Sequence, residues 1–402
     1  MNDDETDEPG IDWNDFYGDD DRDAGRVRPQ PTAQPQDNAP RPIAAEPAVL
    51  AEPRLSPGAQ PCVMLGPVKS GKTTLLTAIK RACDQPANDH LDLEFIPGPE
   101  TARKIKIAIG KIAERDQGHE ATSDVGNFPF EVHVTTRPRY FWSAPREEDL
   151  YVVMSDGGGG FLLPATNTLT NDQALLTFRP RLIQTARKAK SMILCVDISN
   201  PASTTLEKEL AISFAEMCKP TPTLSKVHWT AKFWPWLRRR PAPQPRKRMK
   251  SCLNVDRFLL LLTQVDKLCH QLPEGVDRTI RFAEMIDPVE QARELLGVSV
   301  LKTIQNVLKP TAQFGVGVIS AMGFHPRTGD PFADMDGTPL NLDSESGEDI
   351  LRRWTPFGIR DAIYFLATGE FRGRVKQLHP ADLRVGLEPL EFTYSATSQK
   401  EA

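Results

Sequence analysis

The chain has 402 residues, 39% hydrophobic and 26% charged, enough for one large domain or two small ones with a real core. Its formal net charge of −5 argues against a general nucleic-acid binder, and no apolar run approaches the length of a membrane-spanning helix. The acidic N-terminus does not read as a signal peptide, and six scattered cysteines without a C-x-x-C pair point to free thiols in a reducing cytoplasm rather than a zinc site.

Residues 1–24 are acidic, with Trp13, Phe16 and Tyr17 among the carboxylates, and 25–58 are rich in Pro, Ala and Gln. Neither stretch can bury enough apolar surface to offset chain entropy, so 1–58 is expected to be a disordered tail. A folded domain is expected over 59–369, followed by a C-terminal tail over 370–402. The first strand falls at 61–65 and the first helix at 71–84. A short strand at 91–96 and a helix at 100–115 come next. Alternation of apolar and polar residues over 128–134, FPFEVHV, marks a half-buried strand. Residues 137–148 read as a connector and 151–154 as a strand. A Gly-rich, then Thr/Asn-rich, loop over 157–172 leads to a helix at 173–189. Continuous apolar runs at 192–197 and 258–262 read as buried parallel strands, with a helix at 203–217 between them. One or two helices fill 276–308, and 314–319 is the last strand. An acidic, Pro/Gly-rich loop covers 325–348, and a helix at 357–367 closes the domain. Strands alternating with helices imply a three-layer α/β/α fold on a mainly parallel sheet.

The most specific stretch is 61–74, PCVMLGPVKSGKTT. It is G-x-x-x-x-G-K-[ST] set between a strand and a helix, the context of a phosphate loop. Gly66 and Gly71 permit backbone angles that turn successive N–H groups toward phosphate oxygens. The helix start adds its own amides and positive end. Lys72 supplies a point charge for the β- and γ-phosphates, and Thr73 a hydroxyl for Mg²⁺. In such a sheet, ligands sit at the carboxyl ends of the strands. Asp156 ends one strand and is followed by Gly159, the pattern of a Mg²⁺ carboxylate and a glycine amide for the γ-phosphate; a turn-capping Asp is the plainer alternative. Thr263-Gln264-Val265-Asp266 ends another. A carboxylate there can accept from the N1–H and 2-amino edge of guanine, a donor pair that adenine lacks, although Asp266 could equally be a helix cap. Ser320-Ala321 ends the last strand, where a small residue lets an amide approach guanine O6.

GPVKSGKT, DGGG, TQVD and SA, in that order and each after a strand, resemble the signature of Ras-like P-loop GTPases over about 61–368. The Ras-like resemblance adds one antiparallel strand to the sheet. The extra strand and helix at 91–116 resemble the bacterial double-GTPase group. The resemblance implies that GTP or GDP with Mg²⁺ is bound by Gly66, Lys69, Ser70, Gly71, Lys72, Thr73, Thr74, Asp156, Gly159, Thr263, Gln264, Asp266, Ser320 and Ala321. It also implies Thr73, Thr122 and Asp156 as the metal set, with Lys72 and Thr122 serving catalysis. Ser123 competes with Thr122 for the first-switch position. Three departures stand out. TQVD replaces Asn-Lys-x-Asp. Gly160 stands where relatives place a water-orienting Gln, which implies slow hydrolysis unless Arg179, Arg181 or Gln184 helps. Lys69 occupies a place where some relatives hold a monovalent cation.

Residues 218–250 carry ten Lys and Arg and no acid, interleaved with Trp229, Phe233, Trp234 and Trp236. Such a patch can meet an anionic membrane, nucleic acid or an acidic protein, or stay solvated. The acidic N-terminal island is a candidate mask for it. The sequence therefore reads as a GTP-dependent switch with a protein partner or a second GTPase as its dimer mate. A nucleotide-binding scaffold without turnover, and a P-loop ATPase, are the alternatives.

Overall fold

The computed structural model describes residues 56, 58–67, 70–85, 90–114, 125–137, 145–157, 183–199, 214, 217, 253–273, 276–335, 338–340 and 346–383. All belong to one compact unit, Pro53–Ala402. The 1–24 tail, Lys69, Thr122, Ser123, Gly159, Gly160, Arg179, Arg181 and the 218–252 insertion lie outside the described residues.

Eight strands form one sheet: β1 (Gln60–Leu65), β2 (Leu91–Pro97), β3 (Val125–Thr136), β4 (Arg146–Gly157), β5 (Ser191–Asp197), β6 (Arg257–Thr263), β7 (Gln313–Val318) and β8 (Val375–Gln377). Their order is β2-β3-β4-β1-β5-β6-β7-β8. The five strands from β4 to β7 are parallel to one another. β1 runs in the middle of this block because its apolar run can be buried on both faces. Val63 and Leu65 enter one core cluster, while Cys62 and Met64 enter the other. On the Cys62 side lie α1 (Lys72–Asp84) and, near the chain end, the helix Ile359–Thr368. On the Val63 side lies the helix Pro288–Val307, through Ala292, Leu296 and Leu301.

The helices between are α2 (Pro99–Ala113), α3 (Val265–Gln271), α4 (Ile280–Met285), α5 (Pro288–Val307), α6 (Gly347–Arg353) and α7 (Ile359–Thr368); a further helical segment spans 183–188. The 276–308 region thus holds two helices. Asp287 caps α5 by accepting from the Val289 and Glu290 amides, and Gly297, at φ 75°, interrupts it.

Three sequence expectations are corrected. The sheet has two strands opposed to the parallel block, β3 and β8, where one was expected. Residues 146–148, the end of the 137–148 stretch read as a connector because of its Pro and charge, belong to the first half of β4. They pair with β3 from Thr136↔Arg146 onward, and the His133–Asp149 ion pair joins the two strands there. The loop assigned to 325–348 is followed by a helix, α6, started by a capping box in which Ser346 and Asp349 bond each other's amides.

Candidate functional site

β1 delivers the chain to Gly66, and α1 carries it away from Gly71. Gly66 must be glycine because of a close approach. A Cβ there would stand 2.6 Å from Ser70 Oγ and 2.8 Å from the Cys195 carbonyl of β5. Gly71 must be glycine for its backbone: it is the N-cap of α1 at φ 73°. No side chain caps this helix start, and its first turn holds no acid. An acid there would repel an anion at the positive helix end. The Lys72 ammonium is buried and donates to the Gly66 and Pro67 carbonyls, both at 2.8 Å. It thus lies inside the loop's curve, a positive charge beside the helix N-terminus. Ser70 Oγ is fully buried and has no partner among the described residues. These features fit a phosphate: a glycine cradle that a Cβ would fill, an uncapped helix start and a buried cation.

The strand ends are gathered at the same edge. Continuing the Met64↔Met154 register by two residues sets Asp156 level with Gly66; its side chain lies outside the described atoms. That placement is compatible with a Mg²⁺ shared with Thr73, since Mg²⁺ takes one or two carboxylates and completes its shell with phosphate and water. Across β5, Thr263 of β6 comes close enough for its hydroxyl to reach the Ser70 carbonyl at 2.9 Å and the Val196 carbonyl at 3.1 Å. The Thr263 hydroxyl therefore ties the end of β6 to the loop between β1 and α1. Gln264 follows in the left-handed region at φ 65°, and its side chain lies 3.7 Å from where a Gly71 Cβ would be. It covers Gly71 with its amide and stem.

Asp266, on the first turn of α3, is only 2% exposed. The Ser320 hydroxyl donates to it at 2.5 Å and accepts from the Gly323 amide at 2.6 Å. Burial pushes the Asp266 carboxyl above its ordinary value of 3.8, against the hydrogen bond from Ser320, which lowers it. Ala321 follows, half-buried, and its carbonyl accepts from the Trp354 indole at 2.9 Å.

The structure thus brings Gly66, Ser70, Gly71, Lys72, Thr263, Gln264, Asp266, Ser320 and Ala321 to one end of the sheet, with Thr73 and Thr74 on the first turn of α1. Lys69, Thr122 and Gly159 lie outside the described residues. Sequence reasoning missed two participants. Cys195 backs Gly66; its thiol is pushed up to about 12 by burial, so it is a packing group and not a nucleophile. Trp354 reaches Ala321 across 33 positions of sequence. Its only sequence signal was a lone Trp beside a Pro/Gly-rich loop.

No protein-family model matches the sequence, and no curated protein matches it. Among solved structures, the Arl6 small GTPase of Trypanosoma brucei with a bound nucleotide analogue, GppNp, aligns at 15% identity. The alignment covers 65% of this chain and 87% of that one, with a TM-score of 0.26. The SRb-GTP/SRX complex of the signal recognition particle receptor from Chaetomium thermophilum aligns at 10% identity over 67% of this chain and 94% of that one, with a TM-score of 0.27. Superpositions at such TM-scores are too loose to carry detail of fold or function.

Proposed function

We propose that the chain is a Ras-like P-loop GTP-binding protein, related to the double-GTPase group, that hydrolyses GTP slowly and acts as a nucleotide-dependent switch in the cytoplasm. The observation that carries this reading is the Thr263 hydroxyl on the Ser70 carbonyl. It sets the strand end that bears Asp266 beside the loop that bears Lys72, so a purine nucleotide can span the two. Asp266 accepts from the N1–H and 2-amino edge of guanine. Ser320 holds that carboxylate through Oδ1 and is itself held by Gly323. Lys72 leaves its loop carbonyls and turns to the phosphates, a swap of one set of acceptors for a more strongly charged one. Mg²⁺, held by Thr73 and Asp156 with Thr122 joining in the triphosphate state, would spread the charge developing on the phosphates. Lys69 stands in for a monovalent cation at the loop. With Gly160 offering no side chain to orient water, turnover is slow or awaits a partner, either a second GTPase or another protein. The 218–252 insertion is the surface for an anionic membrane, nucleic acid or protein partner.

The test is competition by GTP and ATP against a fluorescent guanine nucleotide, on wild type and Asp266→Ala. Two hydrogen bonds to a charged acceptor predict that the variant loses about 100-fold or more in GTP affinity. ATP binding is expected to change by less than about twofold. Equal losses for both nucleotides would favour a P-loop ATPase with Asp266 as a cap.

A further inference from the structure

The guanine reading leaves one question that the site residues do not answer: what holds Ala321 in place. Among the described residues that follow Ala321, 322–335 holds no helix that would fix it. The structure supplies a strap instead. Ser320 and Phe357 form a backbone bridge, with the Ser320 amide on the Phe357 carbonyl at 3.1 Å and the Phe357 amide on the Ser320 carbonyl at 2.9 Å. This fixes the peptide plane that bears the Ala321 N–H. The next peptide plane is fixed by the Trp354 indole on the Ala321 carbonyl at 2.9 Å. Both planes flanking Ala321 are therefore held from 354–357. Among the described residues, no acceptor takes the Ala321 N–H itself.

Trp354 is in turn held from the C-terminal end of α1, the helix that begins at Gly71. It is the C-cap of α6, 1% exposed, and its amide donates to Ile350. Its carbonyl accepts from Arg81 Nε at 3.1 Å and Gln85 Nε2 at 3.2 Å, both from the end of α1, and Arg81 also donates to the Arg352 carbonyl at 3.0 Å. The phosphate-loop helix thus grips Trp354, and Trp354 grips Ala321. Gly323 permits this close passage: a Cβ there would lie 1.8 Å from the Thr355 carbonyl.

We propose that Trp354 is a positioning residue for base specificity, aiming the Ala321 amide at the O6 edge of the purine and coupling that aim to α1; this rests on the guanine reading above. The indole N–H contributes through one neutral hydrogen bond, so its loss predicts a modest and selective change. The full chain, wild type and Trp354→Phe, would be titrated with GDP, ADP and inorganic tripolyphosphate. The variant keeps one aromatic ring and removes the donor, and it leaves a cavity where the rest of the indole stood, whose effect should fall on all three ligands alike. GDP is expected to weaken about three- to tenfold, with ADP and tripolyphosphate unchanged within about twofold. Equal weakening of all three ligands would reveal a purely structural role and overturn the proposal, as would unchanged GDP binding. A wild type that binds GDP no better than ADP refutes the guanine reading, and the role of Trp354 with it. Should Trp354→Phe not fold, Arg81→Met removes one of the two donors to the Trp354 carbonyl while leaving the indole in place. It should lower the preference for GDP over ADP in the same direction, and an unaltered preference would overturn the proposal.

Discussion

At the residue scale, the charge on Asp266 is set by a contest between burial, which favours the neutral acid, and the Ser320 hydroxyl, which favours the carboxylate; burial wins, and the pKa lies above 3.8. Two consequences differ in sign. Between 3.8 and the raised value, the folded chain binds a proton that the unfolded chain has lost, so this group's contribution makes the nucleotide-free fold less stable as pH rises through that window. Guanine recognition runs the other way, because only the carboxylate can accept from both N1–H and the 2-amino group. The preference for GTP over ATP should therefore shrink as pH falls through the raised Asp266 pKa, and it should do so reversibly. Measuring both affinities across that range checks the point; a preference that grows on acidification would contradict it. At this scale the sequence was informative where chemistry depends on residue type. Gly66, Gly71, Lys72, Asp266 and Ser320, which the structure gathers at one end of the sheet, could be picked out by residue type and by their place after a strand. Trp354 was not, because nothing local in its sequence reports a hydrogen bond made 33 positions away.

At the element scale, β1, β5 and β6 were legible because strands buried on both faces must be apolar throughout. The first half of β4 was hidden by its charges: at the outer end of the sheet Glu147, Glu148 and Asp149 meet solvent or a cross-strand partner instead of a core. β8 was hidden by its length, three residues with no alternation to read. It nonetheless closes the sheet edge. Gly315 and Gly317 of β7 leave room that Phe365 and Val375 fill, since a Cβ at either glycine would stand 3.2 Å or less from their side chains. Val375, Leu378 and Leu383 are each 2% exposed. Full burial of such side chains contributes about 1.5–3 kcal/mol apiece as an upper bound. A chain ending at residue 369 should accordingly be less stable than one ending at 383 by roughly 3 kcal/mol or more. Urea unfolding of the two truncations measures this, and coincident midpoints would show that β8 is dispensable.

At the scale of the whole molecule, five parallel strands point their carboxyl ends to one edge, and the crossovers return on both faces. That arrangement turns short, individually weak motifs into neighbours: Gly66 beside Cys195, Thr263 on Ser70, Ser320 on Asp266. Order along the chain was enough to foresee this gathering, because successive parallel strands with right-handed crossovers leave few alternatives. The strap from α6 to α7 was beyond such reasoning, since its path is held by long-range hydrogen bonds from Arg81 and Gln85 that leave no local pattern in the sequence. Within the proposed function, phosphate grip and base selection are two ends of one mechanical unit joined through Thr263 and Trp354. The most direct measurement is the identity of the nucleotide released by denaturing the freshly purified chain, resolved by anion-exchange chromatography. The account predicts GDP, or GTP where turnover is slow. Release of ADP or ATP would contradict it.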